Sequence, residues 1–178
     1  MWKVAELSRP KFLLDGMLGK LARWLRIFGF DAEYRRAVSD EELIEAALRE
    51  GRILLTRDID LHRRARRRGV RSLLVEGRAE AEKLAEIAEH LNIEYEVNPR
   101  ESRCPRCDAP LRPVSKEEVR GKVPPGTYKA YEDFWICQGC GKVYWRGSHW
   151  RNIEETLEEV RDLLRKRRTA PSKGYEAS

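Results

Sequence analysis

Lys11-Phe12-Leu13-Leu14-Asp15-Gly16-Met17-Leu18-Gly19-Lys20-Leu21-Ala22-Arg23-Trp24-Leu25-Arg26-Ile27-Phe28 sets two hydrophobic periods side by side. The run up to Leu14 is compactly apolar and ends at Asp15. After Gly16, apolar side chains recur at Met17, Leu18, Leu21, Trp24, Leu25 and Phe28 with helical spacing. That succession predicts strand, turn and amphipathic helix. Working outward, Gly29 suits the position just past a helix, 31–34 fits a short strand, and Ser39 with Glu42 forms a capping box for a helix reaching Gly51. A strand over 53–56, a basic helix near 61–68 closed by Gly69, a strand over 70–75, a helix over 79–91 and a strand over 93–97 continue the alternation. Ile53-Leu54-Leu55 and Leu73-Leu74-Val75 are continuous apolar runs, as strands buried on both faces are. The expected fold is α/β, a doubly wound parallel sheet with helices on both faces.

From Pro99 the texture changes. Cys104-Pro105-Arg106-Cys107 and Cys137-Gln138-Gly139-Cys140 are two knuckles separated by 29 residues. Two residues inside each pair let both thiolates reach one ion, so the pattern predicts a tetrahedral zinc site. Four thiolates leave no place for water, which makes such a zinc structural rather than catalytic. Two disulfides, in any of three connectivities, are the alternative in an oxidising compartment. No signal-like apolar stretch precedes the first strand, and the chain is expected to be cytoplasmic, where thiols stay reduced. Between the knuckles lie Pro110, Pro113, Pro124 and Pro125 and an aromatic stretch, which suits a small β-rich zinc ribbon. A last helix is expected to open at Asn152, capped with Glu155 at its third position, and to pack Ile153, Leu157, Val160 and Leu164 on the body. After Arg168 the small, polar and prolyl residues predict disorder.

Thirty-six basic against thirty acidic residues give a formal charge of +6 and a pI near 9.2, which favours polyanionic partners over a merely soluble basic protein. No run of 18 apolar residues exists, so a membrane-spanning helix is excluded. One glutamine and three asparagines beside 37% charged residues is a bias seen in proteins of hot-living organisms.

Asp15 ends the first strand and Asp58 ends the third, in Leu54-Leu55-Thr56-Arg57-Asp58-Ile59-Asp60. In an open parallel sheet, ligands bind outside the carboxyl ends of strands where strand order reverses, so these acids are expected to converge. Crowded carboxylates repel unless a hard cation sits between them, and Mg²⁺ or Mn²⁺ is the usual answer. Asp40, Glu41 and Glu42 offer one further carboxylate, although first-turn acids also simply suit the helix dipole. Asp58 or Asp60 equally suits a helix cap, and Asp15 a turn. Lys20, Arg23 and Arg26 on the polar side of the first helix, and Arg57 beside Asp58, could hold phosphates. Arg63, Arg64, Arg66, Arg67 and Arg68 are either an RNA contact or a solvated face. In the ribbon, Arg103, Arg106, Lys142, Arg146 and Arg151 mix with Tyr144, Trp145, His149 and Trp150, which suits gripping single-stranded RNA or building a small core.

The stretch from Phe12 to Arg26, then Asp40 with Leu43, the segment from Gly51 to Asp58, both knuckles, and Gly147-Ser148-His149-Trp150 together resemble the Mut-seven C-terminal RNase domain family over about residues 11–165. The resemblance implies a PIN-like nuclease fold with an appended zinc ribbon and a metal-dependent endoribonuclease activity. It implies that Asp15, Asp40 and Asp58 bind Mg²⁺ or Mn²⁺; Asp60 is a candidate fourth acid, and Lys20, Arg23 and Arg57 are expected to position the RNA backbone. The domain reading is then a leader (1–10), a PIN-like nuclease domain (11–98), a zinc ribbon (99–151), a packing helix (152–168) and a tail (169–178). RNA is the expected partner, with the ribosome or tRNA as candidate partners. The competing functions are a non-catalytic RNA- or ribosome-binding protein and a regulatory protein held by a partner.

Overall fold

A computed structural model describes residues 9–169. β1 (Phe12–Leu14), β2 (Ala32–Tyr34), β3 (Ile53–Thr56) and β4 (Ser72–Leu74) pair in parallel in the order β2-β1-β3-β4. In register, Phe12 faces Ala32 on one side and Ile53 on the other, and Leu54 pairs with Ser72. Alternate residues of each strand reach opposite faces. Phe12, Leu14, Ile53 and Leu55 therefore share one cluster with α1 (Gly19–Ile27), α4 (Glu80–Leu91) and α6 (His149–Thr169), while Leu13 and Leu54 join α2 (Asp40–Glu50) and α3 (Ile59–Arg67) on the other. Burial on both faces is why β1 and β3 carry no polar alternate before Thr56.

The chain leaves β1 for β2 on one side and returns across the sheet to β3 on the other. In open parallel sheets such a reversal is where ligands bind, and Asp15 and Asp58 lie just past the carboxyl ends of β1 and β3 there. The helix signals are realised beside it. Ser39 caps α2 with the reciprocal Glu42 bonds of a capping box, and Gly51 ends that helix at φ +63°.

Residues 93–97 form no strand. Tyr95 instead packs its ring, tilted, against Phe28 at 4.9 Å and donates its hydroxyl to the Leu84 carbonyl at 3.0 Å, with Ile93 and Val97 packed on the same cluster. Side-chain burial against α1 and α4 satisfies the apolar alternation without a ladder. The last helix starts at His149, three residues before the expected Asn152. Gly147 makes the earlier start feasible, since a Cβ there would come within 2.8 Å of the Trp145 ring nitrogen as the chain leaves the preceding strand. Asn152 is thus an interior residue, and Trp150 Nε1 donates to Glu154 at 2.9 Å across the first turn. Thr169, expected in the tail, still belongs to α6; the rest of the tail and most of the leader fall outside the described residues.

The second sheet is antiparallel, β5 (Leu111–Val114), β6 (Phe134–Cys137) and β7 (Val143–Trp145) in that order. Val119, Val123 and Phe134 form its core, with Val114, Tyr128, Tyr131, Val143 and Trp145 around them. The connector prolines have positions that suit them. Pro113 sits on the edge strand β5, and Pro125 opens the short α5 (Pro125–Ala130). No helix among the described residues is long and apolar enough to cross a membrane.

Arg26 welds this ribbon to the body. Rather than facing solvent with Lys20 and Arg23, it is buried, donating to the Ala32 carbonyl at 2.8 Å and the Pro105 carbonyl at 3.0 Å, with Asp108 at 3.7 Å. Asp108 also accepts from the edge-strand N–H of Ala32 at 3.1 Å and from Arg103 at 2.7 Å. A buried guanidinium is stable only when its donors are matched in this way. Arg26→Met is therefore expected to cost about 2–5 kcal/mol, measurable by urea denaturation, with the ribbon's tryptophan signal lost ahead of the helical signal.

Candidate functional site

Asp15 is buried at the turn after β1. Its Oδ1 accepts from the Met17 N–H at 2.9 Å, and its Oδ2 accepts from the hydroxyl of Thr56, a residue with no exposed surface at the end of β3. The Thr56 oxygen in turn accepts from the Asp58 N–H at 2.9 Å. One hydroxyl therefore ties together the ends of both strands and the two residues that carry the carboxylates. Asp58 Oδ1 caps α3 through the N–H groups of Asp60 (2.8 Å) and Leu61 (3.0 Å). Capping and ligation are compatible here, because Oδ2 of the exposed Asp58 has no hydrogen-bond partner among the described residues.

The helix acids divide by role. Asp40 accepts from Arg64 at 2.8 Å, and Glu41 accepts from Arg64 at 3.3 Å and from Arg68. The Arg68 hydrogen bond holds the Glu41 carboxyl below the usual range. Glu42 is taken up by the capping box, whose Ser39 N–H and hydroxyl lower its pKa. Asp60 is exposed on the first turn of α3. The structure thus brings Asp15 and Asp58 into one hydrogen-bonded chain and gives Asp40 an arginine partner on α3. Among the described residues, the one group of three or more cysteine, histidine or acidic side chains with ligand atoms within 4.8 Å is the cysteine set.

Lys20 and Arg23 are exposed on α1. Arg57 is half-buried and donates to the Gly77 carbonyl at 2.7 Å. Glu86, buried on α4, grips the same loop from behind, accepting from the N–H groups of Glu76 and Gly77 at 3.1 Å. Arg57 thereby joins the β4–α4 loop to the residue that precedes Asp58. Thr56 and Glu86 are absent from the sequence-level candidates. Thr56 had a signal, a hydroxyl residue closing an otherwise apolar strand two positions before an acid; Glu86 had none, since its partners are remote backbone.

The four cysteines come together from the loop before β5, the end of β6 and the β6–β7 turn, their sulfurs all within 4.8 Å, with Cys104–Cys140 at 3.7 Å and Cys107–Cys137 at 3.3 Å. Thiolates on a tetrahedral zinc lie about 3.8 Å apart, given Zn–S bonds of about 2.3 Å. The supporting groups match that use. The N–H groups of Gly139 and Cys140 donate to Cys137 Sγ at 3.3 Å, and the Tyr144 hydroxyl lies 3.1 Å from Cys104 Sγ. Gly139 must be glycine, because a Cβ would approach Ala109 to 2.7 Å and Cys107 Sγ to 3.2 Å. Burial would raise the Cys104 thiol, but the Tyr144 and backbone donors outweigh it and bring it down to about 7. Cys137 moves the other way, up to about 12, through burial and the neighbouring sulfurs. All four cysteines are unbridged, and the donor set fits a structural zinc.

Searches of curated proteins and of solved structures give no match. A family model described as the Mut7-C RNAse domain matches residues 10–157, which takes in β1, the acidic crevice, both knuckles and the first turns of α6. With both the crevice and the ribbon inside that match, the chain belongs to the Mut7-C RNAse domain family.

Proposed function

We propose that this protein is a metal-dependent ribonuclease of PIN-like type that hydrolyses RNA phosphodiester bonds at the crevice between β1 and β3. The observation that carries the reading is the Asp15–Thr56–Asp58 chain, two acids 43 positions apart joined by one buried hydroxyl at the reversal of strand order. Asp15 and Asp58 would hold Mg²⁺ or Mn²⁺, with Asp40 and Asp60 as further candidate ligands at the first turns of α2 and α3. A divalent ion bound there lowers the pKa of a coordinated water and neutralises phosphate charge. The protein's own groups do the rest. Thr56 keeps the Asp15 carboxylate oriented, Lys20 and Arg23 attract the RNA backbone, and Arg57, next to Asp58 in the chain, steadies the β4–α4 loop.

The ion pair between Asp40 and Arg64 favours a second reading, a non-catalytic RNA-binding protein, because it occupies an acid that ligation would need. Labelled structured and unstructured RNAs, with tRNA and ribosomal fragments first, separate the two when incubated with metal-stripped, zinc-loaded protein with and without added Mn²⁺. Mn²⁺-dependent fragments that vanish in Asp58→Asn, with RNA affinity kept within a fewfold, support the nuclease. Binding without cleavage under every condition supports the second reading.

A further inference from the structure

We infer that the cleft between the ribbon, the end of α1 and the start of α6 is a nucleobase pocket for a single unstacked pyrimidine of an RNA strand, an inference that takes from the proposed function only the identity of the ligand as RNA. Ile27, Trp135, Tyr144, Trp145, Trp150 and Ile153 are among its walls, and its volume is about 110 Å³. An apolar cavity of about 150 Å³ admits benzene. The cleft is smaller than that, so it seats at most one six-membered ring with part of it in the open mouth, and a purine's second ring must project.

The two faces of the β6–β7 pair explain why aromatic residues gather here. Phe134 and Val143 serve the ribbon core, while Trp135 and Tyr144, directly opposite each other in register, point to the other side. Trp150, one residue into α6, completes the wall. Trp135 is 9% exposed, and its Nε1 is buried with no hydrogen-bond partner among the described residues. An orphaned buried donor is costly, but this one has almost no accessible surface and is not a contact that the cleft offers an occupant.

Charge identifies the occupant. The Arg146 guanidinium lies 4.9 Å from the Trp150 ring and 6.0 Å from the Trp135 ring, and the Lys142 ammonium lies 5.6 Å from the Tyr144 ring. Neither forms an ion pair with a carboxylate among the described residues, whereas Arg103 nearby is taken by Asp108. Aromatic faces for a base beside unneutralised cations for its phosphates are the two halves of single-strand recognition. α1 connects this cleft to the acidic crevice. It is nine residues long, about 13 Å, with Ile27 at the cleft end, Asp15 just before its other end, and Lys20 and Arg23 exposed between.

The test uses the full chain and fluorescein-labelled 2′-O-methyl oligouridylate, oligoadenylate and an abasic backbone of equal length, read by anisotropy so that no cleavage intervenes. Oligouridylate is expected to bind at least about fivefold tighter than the abasic chain, since a stacked base contributes about 1–3 kcal/mol, and tighter than oligoadenylate because a purine's second ring does not fit the cleft. Trp150→Ala should lower oligouridylate affinity about tenfold and leave the abasic chain within twofold. Arg146→Met, an exposed substitution that spares the core, should weaken both pyrimidine and abasic binding. Equal affinity for oligouridylate and the abasic chain overturns the inference, as does indifference to both substitutions. The two readings fail separately. Base selectivity without any cleavage leaves the pocket standing and removes the nuclease, whereas Mn²⁺-dependent cleavage without base selectivity does the reverse.

Discussion

Asp15→Asn is expected to lower Mn²⁺-dependent RNA cleavage at least a hundredfold, equivalent to about 2.7 kcal/mol of transition-state stabilisation, at a stability cost of about 1–3 kcal/mol because the Thr56 hydroxyl loses its carboxylate acceptor. Asparagine keeps the volume of the side chain, and its amide oxygen can still accept the Met17 N–H. What disappears is the negative charge that a divalent ion needs, and a neutral amide is a poor substitute for it. The companion substitution Thr56→Val separates charge from placement. Valine has the shape of threonine without the hydroxyl, so Asp15 Oδ2 loses its donor and the Asp58 N–H its acceptor. Leaving those groups unmatched should cost about 1–3 kcal/mol of stability, read from urea denaturation, together with a smaller loss of cleavage that reflects disordered carboxylates. Full cleavage by Asp15→Asn would remove the crevice as the reaction centre.

Cys104→Ser should release the zinc, expected at one per chain by metal analysis, and unfold the ribbon. Structural zinc contributes about 10–16 kcal/mol in isolated modules, far more than a core of Val119, Val123 and Phe134 can replace. Serine is a poor zinc ligand, and the Tyr144 hydroxyl would lose the sulfur beside it. The parallel sheet has its own two cores and should survive, so the tryptophan signal of the ribbon should collapse while most helical circular dichroism remains. The joint would suffer next, because Arg26 depends on the Pro105 carbonyl inside the first knuckle. A zinc-free protein that keeps the full ribbon signal would show that the metal is dispensable.

How much of this was legible in the chain depends on the range of the interaction. Gly51 at a positive φ and the Ser39–Glu42 box are settled within a few residues, and both appear where the letters put them. β1 and β3 were equally plain, because burial on both faces leaves an unbroken apolar run. Residues 93–97 misled because alternation reports only that one side is buried; Tyr95 found that burial against Phe28 and Phe30 rather than in a sheet. Asn152 misled because a cap signal competes with the helix start that Gly147 permits upstream. Arg26 looked like a third phosphate contact because helical spacing gives the face of a side chain but not the neighbour opposite it.

The order of the letters alone settled the parallel α/β body, the cysteine set and the acids at two strand ends, all consequences of hydrophobic period and short spacing. Only the packed chain decided that Asp15 and Asp58 share the Thr56 hydroxyl, that Asp40 has an arginine partner, that Arg26 clamps the ribbon, and that Trp135, Tyr144 and Trp150 wall a cleft. Most of these relations cross the chain, 41 positions for Asp15 and Thr56, 24 for Asp40 and Arg64 and 79 for Arg26 and Pro105. They arise from which strand lies beside which and which helix covers which face, and no local pattern encodes that.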